Sequence, residues 1–384
     1  MVYLDFNAST PLDESVLAAM NDADRLSLNP GSVQHKSGTV TKQLLDDARS
    51  SVALELGVTA QEVIFTSGSS EGIAIGILGL VAGLPKSRRG VVIGATEHKA
   101  VLQAVETARN LFDCRVHVLS VSKSGLVDHN ELRSVLAGQE FGLVAIMRSN
   151  NETGVINDTQ ELAQLAHEQG AIFFCDITQS VGKEDIASVF KYSDLVVFTA
   201  HKFYGPKGAG ILFASRDMQR QLVPIFGGGG QERGLRGGTP NTAAAVGLAH
   251  ALRLANASQD FVASHYEQLT SVFLHELKAA GISFEIIGNN ARRLPNTLNL
   301  RLLGFDAEIL MANMPTIEVS TGSACNSAVV EPSHVLLAHG LTTYEASECI
   351  RFSFGKQTTM SEIQYTVSEL ARAMARIRQI EMVS

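Results

Sequence analysis

Two textures alternate between about residues 61 and 215, and no other feature constrains the fold as strongly. Short β-branched or aliphatic runs at residues 63–66, 90–93, 143–146, 172–175 and 195–198 read as strands buried on both faces. Longer segments with helical spacing lie between them. Residues 159–169 form one, stopped by Gly170 as helices often are. Strand, helix, strand in this order predicts an α/β domain with a mostly parallel sheet wrapped by helices. Beyond it, residues 242–280 read as one long helix or two. Residues 284–287, 297–302, 317–320 and 350–354 then read as strands, with a helix over 361–378. This shorter spacing predicts a smaller α+β domain. The expected division is an arm over 1–15 that joins the small domain, a large domain over 16–255 and a small domain over 256–384. An irregular arm and a short helix are expected in the first 40 or so residues.

Ligands of such sheets bind beyond the C-terminal ends of the strands. Polar, chemically able residues follow five successive runs: Ser67-Gly68-Ser69-Ser70, Thr96-Glu97-His98, Asn150-Asn151-Glu152, Asp176 with Gln179, and Thr199 with His201 and Lys202. One such end is ordinary loop composition, but five on one rim predict a site. Ser67-Gly68-Ser69-Ser70 opens a helix, whose free N–H groups and partial positive charge suit a phosphate. Its plainer reading is a serine cap. Lys202 directly follows a buried strand, where desolvation favours a neutral amine able to form a Schiff base. A surface lysine is the plainer alternative. Asp176 stands where it could pair with a protonated pyridine nitrogen or merely cap a loop. His98 suits stacking on a flat cofactor or proton transfer, or else starts a helix at the surface.

Two further stretches stand out. Residues 227–239 form a Gly-rich loop with Arg233 and Arg236, either a hinge or a loop passing close to a ligand or a second subunit. There Thr239 would cap the following helix. Arg351 is a lone charge in an apolar run. A buried arginine needs an anion, whether a structural carboxylate or a substrate carboxylate held by its fork.

The four cysteines, at 114, 175, 325 and 349, contain no C-x-x-C pair. Neither a disulfide framework nor a cysteine-built zinc site is expected, and no metal site is predicted. Cys175 and Cys349 lie in apolar strand contexts, and Cys114 precedes a mixed strand. Cys325 differs. It sits among small polar residues, in the open surroundings where a reactive thiol meets substrate. With 39 acidic and 31 basic residues the net charge is −8, which argues against a broad nucleic-acid-binding surface. The longest apolar run, 73–84, is too short to span a bilayer, and the N-terminus lacks signal-peptide texture. A cytoplasmic protein without direct nucleic-acid or membrane binding is expected.

Taken in order, the motifs Tyr3-Leu4-Asp5, Asn7-Ala8-Ser9-Thr10-Pro11, Asn29-Pro30-Gly31-Ser32, Phe65-Thr66-Ser67-Gly68, Thr96-Glu97-His98-Lys99, Asn150-Asn151-Glu152-Thr153-Gly154, Asp176-Ile177-Thr178-Gln179-Ser180, His201-Lys202, Gly229-Gly230-Gln231-Glu232-Arg233-Gly234, Leu294-Pro295-Asn296-Thr297, Gly322-Ser323-Ala324-Cys325 and Ile350-Arg351-Phe352-Ser353 run nearly end to end. Together they resemble the cysteine desulfurases, the NifS/IscS-type branch of the fold-type-I pyridoxal phosphate enzymes within the class V aminotransferase superfamily.

The resemblance implies pyridoxal 5'-phosphate as cofactor, with Lys202 bonded to it and Asp176 paired with its ring nitrogen. Gln179 and Asn151 would contact its ring oxygen, and His98 would stack on the ring and take part in catalysis. Ser69, Ser70, Thr199 and His201 would hold the phosphate, joined by Thr239 from the second subunit of a homodimer. Arg351, with Asn151 and Ala8, would bind the substrate carboxylate end, and Cys325, on a loop over about 320–332, would take the sulfur. The implied reaction turns L-cysteine into L-alanine. The sulfur is held as a persulfide and passed to an acceptor protein for iron–sulfur cluster, thio-tRNA or DNA phosphorothioate synthesis. A related aminotransferase, a selenocysteine lyase and a catalytically lapsed sulfur-relay docking protein are the alternatives. The intact Lys202, Asp176, His98 and Cys325 favour the desulfurase. Two departures stand out. Gly72-Ile73-Ala74 replaces the polar residues usual after Glu71, and the longer scaffold-docking tail of some members is not seen after the last helix.

Overall fold

The computed structural model describes residues 1–321 and 332–381. After a short strand β1 (Val2–Tyr3), the chain lays down β2 (Val63–Thr66), β3 (Gly90–Gly94), β4 (Arg115–Leu119), β5 (Leu143–Ala145), β6 (Ile172–Asp176), β7 (Leu195–Thr199) and β8 (Gly210–Ala214). These last seven form one sheet in the order β2-β8-β7-β6-β5-β3-β4. All neighbours pair in parallel except β8, which runs antiparallel to both β2 and β7. The mostly parallel sheet expected from the sequence is therefore present.

Side chains alternate across each strand, so one run feeds two cores. On one face Phe173, Cys175, Val196 and Phe198 pack under helices Lys36–Leu56, Thr159–Glu168 and Thr242–Ala257. On the other Phe174, Leu195 and Val197 pack under Ser69–Gly83 and Lys99–Phe112. Each fully buried aromatic or branched side chain contributes about 1.5–3 kcal/mol.

The Gly72 departure has a packing reason. A Cβ at Gly72 would lie 2.9 Å from Val197 Cγ1, and one at Gly76 would lie 2.7 Å from Phe174. Glycine lets this apolar helix lie directly on β6 and β7, which brings its N-terminus to their ends.

A third core lies under the antiparallel sheet β12-β10-β9, made of β9 (Phe284–Ile286), β10 (Thr297–Leu302) and β12 (Cys349–Ser353), with helices Gln259–Ala279 and Met360–Glu381. The strand β11 (Ile317–Glu318) pairs in parallel with β1, and Val2 and Leu4 enter this same core. The arm thus crosses from the third core to the rim of the large sheet.

The first 40 residues hold more helix than expected. Glu14–Leu26 is a full helix, capped by Asp13, and Lys36–Leu56 begins behind His35, whose Nδ1 accepts from the Gly38 N–H. The 242–280 region is two helices, which meet at Ser258. The cap of Thr242–Ala257 is Asn241, not Thr239. No described helix is long and apolar enough to cross a membrane.

Candidate active site

A cavity of about 400 Å³ opens at the C-terminal ends of the strands. All five strand ends singled out from the sequence reach it. Ser69 and Ser70 follow β2, His98 follows β3, Asn151 follows β5, Asp176 and Gln179 follow β6, and His201 and Lys202 follow β7. Ala8 of the arm and Arg351 of β12 complete the wall.

Lys202 closes the short 3₁₀ turn Ala200–Lys202. Its Nζ donates to the carbonyls of Asn7 at 2.6 Å and Ala8 at 2.8 Å. Burial, with Arg351 nearby, pulls its pKa down to about 8. Asp176 ends β6 with only 6% of its surface exposed, and its Oδ1 accepts from the Thr178 N–H at 2.8 Å. Burial pushes its carboxyl above the usual range, and it makes no ion pair among the described residues. His98 caps the helix Lys99–Phe112, its Nδ1 accepting from the Ala100 N–H at 3.1 Å. Burial holds the ring below its ordinary pKa. It is therefore neutral near pH 7, with the proton on Nε2.

Ser69 and Ser70 stand in the first turn of a 15-residue helix, and their hydroxyls have no partner among the described residues. His201 Nδ1 lies 3.2 Å from Ser9 Oγ. Burial, with Lys202 and Lys207 nearby, pushes its pKa down to about 4. Asn151 joins the wall, and its carbonyl accepts from Asn7 Nδ2 and from Arg351, each at 3.1 Å.

Two expected phosphate contacts lie elsewhere in the chain. The Thr199 hydroxyl is buried and donates to the Ala209 carbonyl at 3.0 Å, outside the cavity lining. Thr239 lines a separate cavity of about 250 Å³ with Glu232 and Arg236. Cys325 lies outside the described residues. The other three cysteines are buried. Burial raises the Cys114 thiol, lifts Cys175 well above its usual value and pushes Cys349 up to about 12.

Three residues were not singled out for roles from sequence. Asp5 accepts from Arg351 at 2.6 Å, so that arginine does have a structural carboxylate, while its Nε is buried without a partner among the described residues. Asn7 is 1% exposed and bonded at its N–H, carbonyl and both amide atoms. Lys183 is buried behind Gln179. Asp5 and Asn7 stood in quoted motifs, but only the folded arm shows what they touch.

The family Aminotransferase class-V matches residues 2–366. A cysteine desulfurase of Frankia sp. (strain EuIK1) is 39% identical over 391 residues, covering 99% of this chain and 93% of that protein. The cysteine desulfurase IscS of Histophilus somni (strain 2336) is 35% identical, covering 99% and 94%. A NifS-like protein structure superposes with a TM-score of 0.88 at 31% identity, covering 97% of this chain and 99% of that one. The fold and the cavity thus define a fold-type-I pyridoxal phosphate enzyme. The chain belongs to the class-V aminotransferase family, in its NifS/IscS-type cysteine desulfurase branch.

The residues present fit pyridoxal phosphate. A buried carboxylate without an ion pair among the described residues suits a protonated ring nitrogen, and two hydroxyls at a helix N-terminus with no partner among them suit a phosphate. An amine that deprotonates near pH 8 suits covalent attachment.

Proposed function

We propose that the chain releases sulfur from L-cysteine, forming L-alanine and a persulfide on Cys325. The observation that carries this reading is the pair of opposed groups in one cavity: Lys202 with its lowered pKa and the unpaired buried Asp176. Bound there, pyridoxal phosphate supplies an electron sink for negative charge beside the substrate amine. Lys202 would anchor it and, as a free amine, would be the nearby base that moves the substrate proton. Asp176 keeps the ring nitrogen protonated, and Ser69, Ser70 and His201 orient the phosphate. His98, neutral with its Nε2–H free, covers the ring and offers a proton.

Arg351, which lines the cavity, orients the substrate carboxylate, with Asn151 and Ala8 beside it. Cys325 attacks the substrate sulfur as a thiolate. The C–S bond breaks, an S–S bond forms and a proton goes to the β-carbon, so L-cysteine plus thiol becomes L-alanine plus persulfide with no outside oxidant or reductant. A sulfur-acceptor protein then takes the persulfide sulfur.

The same reading includes Thr199 of the same chain near the phosphate, and a homodimer in which Thr239 of the second copy approaches the phosphate across the interface. It also includes a cytoplasmic location and the division into an arm over 1–15, a large domain over 16–255 and a small one over 256–384. The test is purification of a yellow protein, bleached by borohydride, that forms equal alanine and sulfide from L-cysteine when a thiol is present. A colourless protein without alanine formation would overturn the reading.

A further inference from the structure

Lys183 is buried at 7% exposure and forms no ion pair among the described residues. A buried lysine without a carboxylate is costly. Its Nζ instead donates to Gln179 Oε1 at 2.8 Å and lies 3.5 Å from Asn7 Oδ1. Gln179 Nε2 donates to the Asn7 carbonyl at 3.0 Å.

This geometry fixes the amide. A lysine ammonium only donates and a backbone carbonyl only accepts, so Oε1 must face Lys183 and Nε2 must face Asn7. An amide nitrogen carries two N–H groups. One is committed to Asn7, and Gln179 itself lines the cavity that Lys183 does not reach. The second N–H is the donor that Gln179 can offer to the cavity.

We propose that Lys183 is a positioning residue: with the Asn7 carbonyl, it locks the Gln179 amide so that a hydrogen-bond donor faces the ring oxygen of the cofactor. The proposal rests on the reading of Gln179 as the contact to that oxygen. Lys183 is the natural residue for the task. Its long stem reaches from behind the cavity wall, and in its charged form it adds to the positive field of Arg351, which favours an ionised ring oxygen. Burial brings its own pKa down to about 7. Charged or neutral, Nζ retains N–H groups to donate, so the lock holds in both states.

The test uses the full-length holoenzyme. Absorbance of the bound cofactor and its dissociation constant are compared for wild type, Lys183→Met, Lys183→Arg, Gln179→Met and the double Met variant. Lys183→Met should move the visible band to shorter wavelength and weaken cofactor binding about three- to tenfold, the scale of one lost hydrogen bond. Lys183→Arg should hold the wild-type spectrum. The double variant should shift no further than Gln179→Met alone, because Lys183 acts through Gln179.

An unshifted Lys183→Met beside a shifted Gln179→Met overturns the proposal, as does full additivity in the double variant. Should Lys183→Met fail to fold, Gln179→Glu decides: it retains a partner for Lys183 but has no N–H, so an unshifted band overturns the proposal. A wild-type protein that takes up no cofactor overturns the underlying function; a yellow wild type with unshifted variants overturns this proposal alone.

Discussion

Lys202 meets two opposed demands. Burial and the Arg351 charge disfavour its ammonium, while Asp5 and Asp176 support it. The outcome, a pKa of about 8 in place of 10.5, makes a sharp prediction. Only the neutral amine attacks a carbonyl, so the protonated form dominates below the folded pKa and uptake slows there. Colour formation by the cofactor-free protein should rise about tenfold per pH unit and level off near pH 8. Stopped-flow absorbance across pH 6–10 measures this, and a midpoint near 10 would show that the lysine is not desolvated. Asp176 carries a second prediction. Asp176→Asn should retain bound cofactor by absorbance yet lose turnover by about 10²–10³, the scale of one preorganised electrostatic partner. Unchanged steady-state turnover would remove Asp176 from the chemistry. Both residues were legible in the sequence because each directly follows a buried run, which fixes where its side chain emerges. Asp5 and Lys183 were not. Asp5 meets Arg351 from 346 positions away, a contact that only tertiary folding creates.

Strands and helices differed in how openly the sequence announced them. The runs at 63–66, 172–175 and 195–198 are buried on both faces, so their apolar texture is unbroken and easily read. The helix Lys36–Leu56 buries only a stripe including Leu45, Val52 and Leu56 among polar residues, and its start was hidden behind Asn29-Pro30-Gly31-Ser32. The sequence of the Gly-rich loop suits a hinge or a close approach to a ligand or second subunit, and within this chain the loop is pinned. Glu232 and Arg233 adopt φ values of 44° and 59°. The Glu232 carboxylate, 7% exposed as a residue, receives both Arg49 nitrogens at 2.7 Å and the Phe65 N–H at 3.0 Å. Glu232→Ala leaves Arg49 buried and unpaired, so urea melts should show a loss of about 3–5 kcal/mol. A change under 1 kcal/mol would mean that the loop is not held by this pair.

At the scale of the whole molecule, one arm joins two cores. Val2 and Leu4 pack with the third core, and a few residues on Asn7 touches Gln179, Lys202 and Thr297. The cavity wall therefore depends on both lobes being seated. The sequence suggested two lobes from the change in strand spacing, yet it could not show that a single buried asparagine bridges them. Thr239 lies in a separate cavity of its own chain, so the proposed phosphate contact needs a second copy. Sedimentation velocity should show a dimer in the active enzyme, and a fully active monomer would contradict that assembly. In the proposed reaction Cys325 receives the sulfur. The thiols of Cys114, Cys175 and Cys349 are all buried with raised pKa values, so they are poor nucleophiles at neutral pH. Persulfide mapping by mass spectrometry after a single turnover with L-cysteine decides where the sulfur goes. The extra sulfur should appear on Cys325 alone and vanish with alanine formation in Cys325→Ser, whereas label on Cys114, Cys175 or Cys349 with Cys325 clean would contradict the mechanism.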